Sequence, residues 1–205
     1  MSNVIINGPE TADVTFIFAH GAGADMNHDF MTDVSMRIAE QGIRVVRFNF
    51  PYMVKRAEDG KRRPPDRAPK LLESFTGVVS RFGVGKIIIG GKSMGGRMAS
   101  HLELLDVEGI VCLGFPFHPP GKPEKDKGEH LASMTKPTLI LQGERDTFGN
   151  RCELETYPLS NTVKLTFVPD GDHSFKPRKV SGHTEVSNRQ FAADNIVTFI
   201  QEICQ

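Results

Sequence analysis

The chain has 205 residues, with 25 basic and 25 acidic side chains and a formal net charge of zero at pH 7. That balance gives no global attraction to nucleic acid or to an anionic membrane, and no apolar run approaches the length of a membrane span. The length suits a single domain over residues 1–205, large enough to bury roughly 70% of its unfolded surface.

Met1 to Glu10 shows no basic region followed by an apolar stretch, so no secretory signal is expected. Cys112, Cys152 and Cys204 are odd in number and scattered. They suit reduced thiols in the cytoplasm, not a disulfide framework or a metal site. No metal or organic cofactor is expected.

The first strand expected is Val14 to Ala19, an apolar run that passes into His20-Gly21-Ala22-Gly23. Asp29 to Gln41 carries Phe30, Val34, Ile38 and Ala39 at helical spacing, and Gly42 stops it. Ile43 to Phe48 is the next strand, and Pro51 ends it. Residues 52–70 crowd seven basic side chains against three acidic ones among three prolines. This stretch reads as an irregular excursion, too charged for a core. Leu71 to Phe82 returns to helix.

Residues 86–96 are the centre of the pattern. Ile87, Ile88 and Ile89 form a β-branched run suited to a strand buried on both faces of a parallel sheet. Ser93 follows, with Gly91 two residues before and Gly95 two residues after. The helical spacing of Arg97 to Leu105 comes next. Strand, Gly-x-Ser-x-Gly and helix together form a nucleophile elbow, a strained turn that lifts the serine hydroxyl above the sheet edge. Its glycines remove side chains that would keep strand and helix apart. Lys92 and Arg97 flank the serine, and a structural role is the expectation for both.

Gly109 to Gly114 is a further strand, and 115–130 is a proline-rich loop holding His118. Pro137 to Leu141 is a strand leading to Gln142-Gly143-Glu144-Arg145-Asp146. Val163 to Val168 is the last strand, leading to Pro169-Asp170-Gly171-Asp172-His173. Glu185 to Cys204 closes the chain as a helix.

Strands alternating with helices predict an α/β three-layer sandwich with a mostly parallel sheet. Ligands bind such sheets at the carboxyl ends of the strands. His20 to Gly23, Ser93, Asp146 and His173 all follow strands in that position. A serine hydroxyl needs a general base, and the base needs a group to orient it. Ser93, Asp146 and His173 supply nucleophile, acid and base in the chain order of α/β-hydrolases. Asp170 and Asp172 compete for the acid's role but sit beside His173 and more simply shape its turn. His118, His130 and His183 compete for the base's role, yet none follows the final strand closely. The amide of Met94 and that of Gly21 or Ala22 are the candidate oxyanion donors.

The sequence resembles the α/β-hydrolases. It is most similar to a small hydrolase-like family of bacterial hydrolases, a testis-expressed protein and a regulatory subunit of a histone acetyltransferase complex. Dienelactone hydrolases are a more distant likeness. The segments that carry it are Ala19 to Gly23, Arg62 to Asp66, Gly91 to Arg97, His118 to Pro123 and Gly143 to Asp146. The resemblance implies triad geometry across the whole domain, but no particular substrate. Insertions between strands are modest apart from residues 52–70 and 115–130, so little or no lid is expected.

The expected function is cleavage of an ester-like bond through an acyl-enzyme. The alternatives are a binding or scaffold module that keeps the fold, and a thioesterase or peptidase using the same triad. His20, His118, Arg62, Arg63 and Arg67 are the residues expected around the substrate. His20 is expected mainly to tie the oxyanion loop, and the three arginines to attract an acidic small-molecule substrate. Neither nucleic acid nor membrane is an expected partner, and oligomeric state is not legible.

Overall fold

The computed structural model describes residues 3–205. It contains a seven-stranded sheet: β1 (Val4–Asn7), β2 (Val14–Ala19), β3 (Arg44–Phe48), β4 (Lys86–Lys92), β5 (Gly109–Leu113), β6 (Thr138–Gly143) and β7 (Val163–Val168). The helices are α1 (Asp29–Ala39), α2 (Pro51–Asp59), α3 (Ala68–Phe82), α4 (Met94–Ser100), α5 (Arg151–Leu154) and α6 (Glu185–Ile203). The strand order is β1-β3-β2-β4-β5-β6-β7. Only β1 runs antiparallel to its neighbour; all other pairs are parallel.

Successive side chains of a strand point to opposite faces. Phe16, Phe18, Ile88, Val111, Leu113, Leu139 and Leu141 therefore enter one core, against α1 and α6. Ile17, Ala19, Ile89, Ile110, Cys112 and Ile140 enter the other, with Met53 of α2, Phe75 of α3 and Met98 of α4. Both faces are covered, which is why the central strands read as continuous apolar runs. No described helix is long and apolar enough to cross a membrane.

Besides the edge strand β1, which was not expected, three segments differ from the expectations. The stretch 52–70 is irregular only over residues 60–67; α2 precedes that part and the first turn of α3 follows it. Pro51 occupies the first turn of α2, where its missing N–H has no intrahelical partner to lose. Tyr52 and Met53 are buried, the charged residues face outward, and Gly60 closes the helix at φ 71°. The charge run hid this amphipathic helix. In the same way α3 begins at Ala68, because Pro69 suits its first turn. By contrast α4 stops at Ser100, short of the expected Leu105, and residues 101–106 form turns.

Candidate active site

Four parallel strands deliver the site to one sheet edge. The elbow is held by close backbone approach. A methyl group on Gly91 would stand 2.4 Å from the carbonyl carbon of Gly95, and one on Gly95 would stand 2.5 Å from the Ala19 oxygen. Ser93 itself adopts φ 52°, ψ −117°, a conformation disfavoured for any residue with a side chain. Its Oγ faces His173 Nε2 at 2.9 Å. On the far side of the ring, His173 Nδ1 faces Asp146 Oδ2 at 2.8 Å.

Asp146 is fully buried. Its Oδ1 accepts the Phe148 amide at 2.8 Å, and its Oδ2 also accepts Gln142 Nε2 at 3.0 Å. A carboxylate so placed selects the imidazole tautomer with its proton on Nδ1 and leaves Nε2 free to accept the serine proton. Phe148 packs on the ring, with centroids 4.3 Å apart.

The loop after β2 closes the other side. A side chain on Gly21 would touch Ser93 Cβ at 3.5 Å, so this loop lies beside the nucleophile. Its carbonyls are turned away and occupied. His20 Nδ1 donates to the Gly21 oxygen at 2.7 Å, while His20 Nε2 accepts the Phe50 amide at 3.1 Å. The Tyr52 hydroxyl donates to the Ala22 oxygen at 3.0 Å. Burial pushes the His20 imidazole down to about 4, despite the Gly21 bond, and it stays neutral. Burial pushes the Tyr52 hydroxyl up, so it remains a donor. Met94 opens α4, and first-turn amides have no intrahelical acceptor.

Ser93 and His173 open into a cleft of about 440 Å³, lined also by Gly21, Ala22, His28, Phe30, Met31 and Lys92. A larger groove of about 800 Å³ lies elsewhere, along β1, α2 and α3, away from these groups.

Several residues expected around the substrate lie outside this cleft. His20 is wholly buried beneath the loop that it ties. His118 turns its ring to the Pro119 carbonyl and to Glu153. Arg63 pairs with Asp59 one turn back, and Arg62 and Arg67 do not reach the cleft. Asp170 binds Arg178 and Arg145, and Asp172 accepts the amides of Ser174 and Lys176. Both aspartates brace the His173 loop. Conversely, Tyr52, Gln142 and Phe148 join the site without having been singled out. Lys92, expected to be structural, lines the cleft.

Residues 12–201 match the α/β hydrolase domain family. The chain belongs to that family. It is similar to a serine hydrolase homologue from Coxiella burnetii, with 20% identity over 94% of this chain and 90% of that one, at a TM-score of 0.69. It is also similar to Est1E from Butyrivibrio proteoclasticus, solved with ferulic acid, with 16% identity over 98% and 95% and a TM-score of 0.73. A third likeness is a serine hydrolase without a lid from Xanthomonas campestris, with 19% identity over 97% and 88% and a TM-score of 0.68. At these identities the likeness establishes the shared fold.

Proposed function

We propose that the chain is a serine hydrolase that cleaves an ester-like bond through an acyl-enzyme. The observation that carries this reading is the continuous line from Ser93 Oγ to His173 at 2.9 Å and from His173 to Asp146 at 2.8 Å. Distances of this order are those at which a base can take a proton from its nucleophile.

Ser93 Oγ attacks the carbonyl carbon while His173 Nε2 takes its proton. Asp146 holds the ring and stabilises the imidazolium. The amides of Met94 and of Ala22 or Gly21 receive the charge on the carbonyl oxygen. His173 then returns the proton to the departing alcohol oxygen, and the acyl group remains on Ser93. Water, deprotonated by His173, attacks the acyl carbon, and Ser93 leaves reprotonated. The triad does not distinguish ester from thioester, so bond preference depends on the cleft.

A fluorophosphonate probe tests the reading. It should label Ser93 alone, with the site found by peptide mapping, and Ser93→Ala should lose both labelling and hydrolysis of activated esters. Ester hydrolysis undiminished in pure Ser93→Ala protein would overturn it.

A further inference from the structure

The proposed triad chemistry leaves one cation unused. Lys92, the residue before the nucleophile, is only 9% exposed and lines the cleft beside Ser93 and His173. No described residue accepts a hydrogen bond from its Nζ, yet that atom is not among those sealed from solvent without a partner. An ammonium carries three donors. At 9% exposure, only water or a bound ligand can accept from it.

Its position is fixed by its neighbours. A side chain on Gly114 would meet Lys92 Nζ at 2.8 Å and His173 Nδ1 at 3.4 Å, so ammonium and imidazole are no further apart than those two distances together. Nζ also stands 5.7 Å from the centre of the Phe30 ring, another wall of the cleft. Among the described residues no aspartate or glutamate lines the cleft; Asp146 and Asp172 act on the charge from outside it. Asp146, buried behind His173, is committed to His173, Gln142 and the Phe148 amide. Burial pushes the Lys92 ammonium down to about 8, against the pull of Asp146 and Asp172, so it is charged at neutral pH.

We propose that Lys92 binds a carboxylate of the substrate, so that the ester presented to Ser93 is a small half-ester of a dicarboxylic acid. This rests on the hydrolase reading for the cleavage step, though not for the binding. A carboxylate is the group that an ammonium without a hydrogen-bond acceptor selects, in a cleft whose described lining holds no carboxylate. The apolar walls Phe30 and Met31 take the short carbon chain between the charge and the scissile carbonyl. A mere counter-charge for Asp146 would instead affect every substrate alike.

The test compares ethyl hydrogen succinate with its neutral isostere, ethyl succinamate. Ser93→Ala binds without cleaving, so calorimetry on that protein isolates recognition. The acid should bind about tenfold tighter than the amide or better, and Lys92→Met in the same background should erase the preference. In the active protein, Lys92→Met should lower the acid-to-amide ratio of kcat/KM about tenfold or more. As pH rises past about 8, the ammonium loses its charge and the preference should fall in the Ser93→Ala protein. That arm decides the matter where Lys92→Met does not fold. No preference for the acid, a preference constant through that pH range, or an equal fall for both esters in Lys92→Met overturns the proposal. Preferential binding without turnover in the active protein leaves the carboxylate site standing and sinks the hydrolase reading instead.

Discussion

Gln142 and Asp146 are joined by a 3.0 Å hydrogen bond to Oδ2, the same carboxylate oxygen that faces His173. The two protons of Gln142 Nε2 are shared among Asp146 and the Phe115 and Gly149 carbonyls, so one buried amide ties the acid's loop to the end of β6. Gln142→Leu should remove these contacts and leave their acceptors short of a donor. We expect a loss on the order of 1–3 kcal/mol in urea melts. The same variant should lower kcat more than it raises KM, because the acid's aim is disturbed and the cleft is not. A change in KM alone would contradict a positioning role.

Asp146→Asn should leave the protein folded and cost on the order of ten-thousand-fold in kcat, since the amide favours the wrong imidazole tautomer. Asp172→Asn should be far milder, and Asp170→Asn should lower Tm by weakening its pairs with Arg178 and Arg145. Steady-state kinetics on the three variants decide the order. If Asp172→Asn proves the most damaging to kcat, the acid is wrongly assigned.

Ser93 at φ 52° is held in a conformation that costs of order 1–3 kcal/mol for a residue with a side chain. Ser93→Ala keeps that cost, whereas Ser93→Gly relieves part of it. Both variants should be inactive, but Ser93→Gly should melt higher than Ser93→Ala. Equal melting temperatures would mean that the elbow carries no appreciable backbone strain.

Stability should depend on pH through buried histidines. Burial holds His20 at about 4, and burial beside His101 and Arg97 brings His130 to about 4 as well. An unfolded histidine titrates near about 6.5. Between these values the unfolded chain binds protons that the fold refuses. Stability is therefore fully present above about pH 6.5 and declines as pH falls toward about 4. For His20 alone the decline is on the order of 3 kcal/mol. His20→Asn should reduce the slope of unfolding free energy against pH by about one proton. Denaturant melts across this range give the slope, and an unchanged value would show that His20 charges within the fold.

The central sheet was legible because burial on both faces leaves its mark in runs such as Ile87 to Ile89. The spacing of Ser93, Asp146 and His173 after their strands was equally readable, since each strand end must turn at the same edge. The short edge strand Val4–Asn7 was missed, because four residues facing partly outward carry no apolar run. The helix Pro51–Asp59 was obscured by its own charges, whose outward face says nothing about the buried Tyr52 and Met53. The burial of Lys92 was not legible for a different reason. A lysine ordinarily signals surface, and only the packing of Phe30, Gly114 and His173 around it shows that its ammonium is enclosed.

The order of the strands separates the parts of the site in time. From β2 onward, growth of the chain brings β4, β5, β6 and β7 outward one after another, each beside its predecessor in the sheet. A nascent chain that has emerged as far as β5 already holds Ser93, Lys92 and the proposed oxyanion donors Gly21, Ala22 and Met94. The acid arrives only with the loop after β6, and the base with the loop after β7, 80 residues beyond the serine. In the proposed reaction, the Ser93 hydroxyl therefore has no proton acceptor until the chain has grown past β7.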